Sequence, residues 1–330
     1  MSQIRRRRIL LAAGALLAAP IVRAQRPDKL RRIGWLSSYP ASSGSGQPRL
    51  QNFLTYLSQL GYVAGKNLVI ESRFSDERDG NLPRLADELV RLDPELIVAH
   101  GNEAIFAAKK ATRTIPIVMQ NGSAPVESGV IESLARPGGN ITGTAWSGPE
   151  HHSKCLEMLR QAAPGATQIA VTWNPTYPFE QLRRTVVDEA ATKLGMRLKY
   201  FYMTRPEEVS PALERIAEAR PDALYVTTER VSSSQSRAIG AFAVEKKLIS
   251  MSNGPGFVAN GLLLYYGPVL ASIIERTAGY VDRVLRGAKP ADLPVELPTK
   301  YELVMNKKTA HAIGYKIPTS MLQSVDRVIE

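Results

Sequence analysis

Hydroxyls, amides and a few charges recur in this chain at one kind of position, just after a short apolar run. Ile33-Gly34-Trp35-Leu36 ends in Ser37-Ser38, Leu96-Ile97-Val98-Ala99 runs into His100-Gly101-Asn102, and residues 115–119 lead to Asn121-Gly122-Ser123. Farther on, residues 169–173 end in Asn174-Pro175-Thr176, residues 223–226 lead to Glu229-Arg230, and residues 247–252 end in Asn253-Gly254. O–H and N–H donors suit a carboxylate, and the one acid of the set, Glu229, suits an ammonium. Taken singly, Ser, Asn and Gly are also ordinary turn and cap residues. As a set facing across a cleft they make binding chemistry.

Signals for catalysis or metal are missing. Residues 61–67 imitate a P-loop but are one residue short, with Asn67 where a Ser or Thr should hold magnesium, so they read as a helix-to-strand loop. Glu150-His151-His152 reads as a solvated helix N-terminus, because adjacent histidines on a helix point to different faces. No G-x-S-x-G elbow and no paired nucleophile and base are visible. Cys155 is alone, which rules out an internal disulfide, and four histidines leave little material for zinc. We expect no catalytic residue, no cofactor and no metal.

The elements that must place these loops alternate. Buried-strand patterns are followed by apolar residues at helical spacing, such as Leu50, Phe53, Leu54, Leu57 and Leu60, or Leu82, Leu85, Ala86 and Leu89. Strands alternating with helices predict an α/β fold with parallel sheets covered on both faces. Ligands of such sheets bind outside the strand C-termini. The order then repeats: Leu96, Asn121 and Leu60 have counterparts in Leu224, Asn253 and Leu194 at nearly constant separation, which reads as an internal duplication. In the second half, Phe179, Leu182, Val186 and Ala190 are expected to face inward.

Between the repeats, a helix predicted from Pro125 stops at Arg136, where Pro137-Gly138-Gly139 cannot continue it. An extended segment at 140–146 then makes the first of three crossings between two lobes. Residues 27–146 with 263–290 are expected to form lobe one, and 147–262 with 291–330 lobe two. Gly143, Thr144, Tyr265 and Tyr266 are the expected hinge of three strands.

Ahead of the lobes, residues 1–24 read as an export signal: Arg5 to Arg8, an apolar run over 9–22, and Val22-Arg23-Ala24 as a cleavage site. The route is twin-arginine or general secretion, and the run is too short for a comfortable membrane span. A net charge of +11 falls to +6 without its five arginines. Lys and Arg in the remainder are interleaved with acids, so a nucleic acid is not an expected partner. A hydrophobic content of 44% is ample for two cores.

Several stretches carry a resemblance: Leu60-Gly61-Tyr62-Val63 with Gly65-Lys66-Asn67, residues 134–143, Asn174-Pro175, residues 287–296, and Pro298-Thr299-Lys300 with residues 302–306. In these the chain resembles the tryptophan/tyrosine-type substrate-binding proteins of ABC transporters. That resemblance implies a type I periplasmic-binding-protein fold of two Rossmann-like lobes on a hinge. It also implies a periplasmic monomer, a small polar or aromatic carboxylate or amino-acid-like ligand trapped between the lobes, and permease and ATPase subunits as partners. The chain departs from the family at Thr227-Thr228-Glu229-Arg230, where a proline and an aspartate are common, which admits a ligand with an extra carboxylate. The alternatives are a ligand-sensing receptor for a signalling partner and an exported enzyme on the same frame.

Overall fold

β1 (Arg31–Ser37) is buried on both faces from Ile33 onward, as the inner strand of a parallel sheet should be. The computed structural model describes residues 30–76, 81–146, 148, 150–176 and 180–330. The expected export signal, residues 1–24, lies outside the described residues. After β1 come α1 (Gln47–Gln59), β2 (Leu68–Phe74), α2 (Leu82–Arg91), β3 (Leu96–His100), α3 (Asn102–Ala111), β4 (Ile117–Gly122) and β5 (Ile141–Ala145). Their strands form one parallel sheet in the order β2-β1-β3-β4-β5. Leu36, Ile97, Ala99 and Met119 pack on one face with Leu85 and Leu89 of α2 and Ile105 of α3. Ile33, Trp35, Val98 and Val118 pack on the other with Phe53 and Leu57 of α1.

The second half repeats that order. It runs α4 (Glu150–Ala162), β6 (Gln168–Trp173), α5 (Glu180–Lys193), β7 (Arg197–Tyr202), α6 (Val209–Ala219), β8 (Ala223–Val226), α7 (Arg230–Ser234), α8 (Ser236–Glu245), β9 (Ile249–Ser252), α9 (Gly256–Ala259) and β10 (Leu264–Pro268). Beyond these, α10 (Leu270–Leu285) precedes β11 (Tyr301–Asn306), α11 (Lys307–Ala312), α12 (Thr319–Ser324) and β12 (Arg327–Ile329). The second sheet reads β7-β6-β8-β9-β10-β11-β12, so its first five strands repeat the first sheet in spatial as well as chain order. Among the described strands β11 runs antiparallel to β10, and β12 lies parallel to β11. The predicted α/β fold of two mostly parallel sheets is therefore observed, and the duplication lies in its topology.

Each lobe borrows a helix. The chain leaves β5 to form α4, which packs on β8, β9 and β10 of the second sheet; it leaves β10 to form α10, which packs on β3, β4, β5 and α1 of the first. Ile274, Ala278, Tyr280 and Val281 of α10 complete the core around Trp35 and Phe53.

Four expectations are corrected. Residues 263–268 belong to the second sheet, because β10 pairs with β9 and β11. Residues 291–297 stay with the first: Val295 is buried in its core, Leu293 O accepts from Thr142 Oγ1 at 2.7 Å, and Glu296 bridges to Thr144. No helix starts at Pro125. The segment folds as turns in which Val130 and Ile131 N–H both donate to Pro125 O. The carbonyls of Gly129 and Val130 accept from Lys109 Nζ, so a side-chain ammonium takes bonds that a helix would give to its own N–H groups. In α5, Val187 and Ala191 are buried while Val186 and Ala190 are half-buried, one position off the expected stripe; Phe179 lies outside the described residues.

Candidate functional site

Along the C-terminal edge of the first sheet, the register sets Ser37 beside His100, His100 beside Gln120 and Gln120 beside Thr144. All four are buried. Ser37 Oγ lies 3.4 Å from His100 Nδ1, and Thr144 Oγ1 lies 3.1 Å from Thr277 Oγ1 of α10. Gln120 has no hydrogen-bond partner for either amide atom, and neither Trp35 Nε1 nor Arg49 Nη1 has one. An unsatisfied buried polar group costs about 1–3 kcal/mol. Of these, Gln120 lies in the row, Trp35 within β1 and Arg49 on α1, and buried groups of this kind are ordinarily met by water or a ligand.

Arg49 deserves its place in that set for a physical reason. It is 5% exposed on the inward face of α1, one residue before Leu50 and four before Phe53. Burial pushes its pKa down to about 10, with the phenols of Tyr39 and Tyr265 opposing that shift, so it stays charged at neutral pH. His100 is pushed well below the ordinary histidine range, first by burial and then by the Arg49 charge, and is neutral. Arg49 on α1 therefore sets one cation against a row of neutral polar groups. Arg49 lies on a helix and so outside the positions after strands, where an arginine on the apolar stripe of α1 was the available signal; His100 and Gln120 do follow apolar runs, but side chains so near a strand read as part of it.

The expected residues of lobe one do come together, and most hold the loops rather than point free groups outward. Ser38 Oγ accepts from Ala104 N at 2.9 Å and so caps α3 from outside the helix. Gly101 has φ +89, and a Cβ there would stand 2.8 Å from Ser38 Oγ, so the close approach needs glycine. Asn102 Oδ1 accepts from Ser123 N at 2.8 Å, tying the β3 and β4 loops together. Asn121 sits at φ +64 with its Oδ1 unpartnered, and Gly122 ends β4 beside it.

In lobe two, Glu229 is 2% exposed. Its carboxylate accepts from Ser232 N at 2.6 Å, Val231 N at 2.8 Å and Asn174 Nδ2 at 3.2 Å, which makes it the cap of α7. The expected ammonium role is not what this geometry serves. Asn174 Oδ1 accepts from Thr176 N and Oγ1, leaving Pro175 and Thr176 exposed at the loop tip. Asn253 Oδ1 accepts from Thr228 N at 2.9 Å.

The two sets face each other. Burial, then the negative charge of Glu229, raises the carboxyl pKa of Glu103 at the start of α3, while Arg230 opposes the shift. Tyr39 is raised in the same way, by burial first, then Glu103 and Glu229, while Arg49 and Arg230 oppose the shift. Between the lobes lies a cavity of about 250 Å³ bounded by Ser45 and Arg49 on one side and Thr228, Gly254 and Phe257 on the other.

The four expected hinge residues lie inside paired strands, just before the crossings. Gly143 is at φ +130 in β5, where a Cβ would stand 2.2 Å from Met119 O. Thr144 is its buried neighbour, and Tyr265 Oη donates to Pro268 O at 2.7 Å. Tyr266 stacks on Tyr301 with centroids 5.8 Å apart, and its carbonyl lies 2.9 Å from His151 Nε2. His151 and His152 are 6% and 5% exposed, which corrects the expected solvated helix start: His152 Nδ1 is 2.6 Å from Tyr225 Oη instead. The P-loop look-alike is a braced loop, in which Asn67 bonds Val63 N and Gly61 O. Among the described residues no helix is long and apolar enough to cross a membrane.

Comparison with known proteins agrees with this architecture. A curated tyrosine-binding protein of Clostridioides difficile is 27% identical over 263 residues, covering 80% of this chain and 75% of its own. A conserved domain protein of Vibrio cholerae superposes with a TM-score of 0.84 at 24% identity, over 91% of this chain and 100% of the other. An ABC domain of Streptococcus pneumonia in complex with L-Trp gives 0.83 at 22%, over 91% and 99%. The ligand-free, open structure of a Clostridium difficile substrate-binding protein with adhesive properties gives 0.66 at 24%, over 90% and 99%. The family described as ABC transporter substrate binding protein matches residues 45–329, nearly the whole of both lobes, and the chain belongs to that family.

Proposed function

We propose that this protein is an exported periplasmic receptor that traps a small polar or aromatic carboxylate, or an amino-acid-like molecule, between its lobes and delivers it to an ABC permease and its ATPase. The observation that carries this reading is the buried Arg49, whose unpartnered Nη1 belongs to a residue on the wall of an interlobe cavity. Support also comes from the named ligands of relatives, tyrosine and L-Trp. The closer superposition on the L-Trp complex than on the ligand-free open structure fits lobes drawn together.

The binding set comprises Ser37, Ser38, Gly101, Asn102, Asn121, Gly122 and Ser123 with Asn174, Pro175, Thr176, Asn253 and the Glu229 loop. Most of these shape the rim, and Arg49, Gln120 and His100 add groups that a ligand can satisfy. Closure follows from contacts made to both lobes at once, since only a difference in affinity between open and closed forms can shift their balance. No residue is assigned a catalytic role. Native mass spectrometry of the purified protein tests the reading: the expected result is one copurifying small molecule per chain. A chain that emerges empty and gives no thermal shift with any amino acid or aromatic acid would count against it.

A further inference from the structure

We propose that Arg49 reads the charge of the ligand, and that the ligand is a small monocarboxylic acid with an apolar body and no ammonium group. This rests on the receptor reading above and narrows its ligand class. Arg49 is buried, its Nη1 has no hydrogen-bond partner, and among the described residues no carboxylate pairs with it. A guanidinium taken out of water calls for an anion, and a carboxylate matches both its fork and its single charge. A doubly charged phosphate would leave one charge unmatched, because neighbouring His100 is neutral.

The cavity beside Arg49 describes the rest of the molecule. Ser45, Ser233 and Ser236 line it, with Phe257 and Leu270 as apolar residues of its wall. No aspartate or glutamate is among the described residues that line it, and Glu229 is held by the α7 cap. Glu103, at the start of α3, is not among those residues either, so an ammonium in this cavity would lose water without an acid on its wall. A volume of about 250 Å³ falls just below the roughly 300–1,000 Å³ of most ligand pockets, which limits the occupant to a small compound.

Isothermal titration with matched triplets tests this. Each triplet is an acid, its α-amino acid and its neutral amide, on phenyl, 4-hydroxyphenyl, indole and branched aliphatic bodies. We expect one acid to bind at least tenfold more tightly than its amino acid and its amide. Arg49→Gln should weaken that acid thirtyfold or more, and Arg49→Lys should recover part of the loss. If Arg49→Gln fails to fold, the comparison within triplets on the unaltered protein decides alone. An amino acid that binds more tightly than its acid, or an acid indifferent to Arg49→Gln, overturns this inference and leaves the receptor reading standing. Silence of the whole series, with a compound of another class copurifying, overturns the proposed ligand class as well.

Discussion

Glu229 carries the charge that its position after β8 would assign to an ammonium, yet three donors of its own lobe already fill its carboxylate. Glu229→Ala should cost about 1–2 kcal/mol in urea unfolding, the ordinary price of a lost cap. Affinity for an amine-bearing compound should hold; a loss of about tenfold, or 1.4 kcal/mol, would return Glu229 to ligand recognition. Arg49 makes the opposite case, a charge without a partner. Its protonated form holds an anion, and the proton leaves as pH rises through about 10. Tyr39 and Tyr265 are pushed upward and His100 downward, so none of them changes charge between pH 7 and that point. Binding of a carboxylate, followed by titration calorimetry, should be level from pH 7 to 9 and weaken above about 10.

At the scale of elements, β5 shows how a loop of small residues becomes a precise piece of sheet. Gly143 meets the Met119 carbonyl with no room for a methyl and holds a φ that side chains avoid. Gly143→Ala should destabilise by about 1–3 kcal/mol from backbone strain, with the clash adding to it, and chemical denaturation measures the loss. The strand–helix alternation and the repeat were legible because apolar spacing is local: Leu50, Phe53 and Leu57 announce α1, and Leu85 and Leu89 announce α2. The turns after Pro125 were not legible. There Lys109, on a different helix, decides where the carbonyls bond. The site was half legible for the same reason. Loop residues after strands can be read along the chain, while Arg49 meets Tyr39 and His100 only once α1 has packed on the sheet.

Over the whole molecule, three buried histidines set the response to acid. His100 and His152 are pushed well below 6.5 and His151 down to about 4, in each case mainly by burial. The unfolded chain takes up protons below about 6.5 that the folded chain refuses, so stability is full above that pH and falls as the solution is acidified. Melting temperature should drop steadily from pH 7 to pH 4; a flat profile would mean that these rings are solvated. The exchange of helices between lobes has a consequence for biogenesis. When Ala145 has left the ribosome, every strand of the first sheet has been made, but the face around Trp35, Val98 and Val118 still lacks α10, which ends at Leu285. Lobe one must therefore wait, open on one side, while five of the seven strands of the second sheet are synthesised. Both cores close late, the first with Val295 and the second with Met321, and a nascent chain stalled before Leu270 holds neither of them finished.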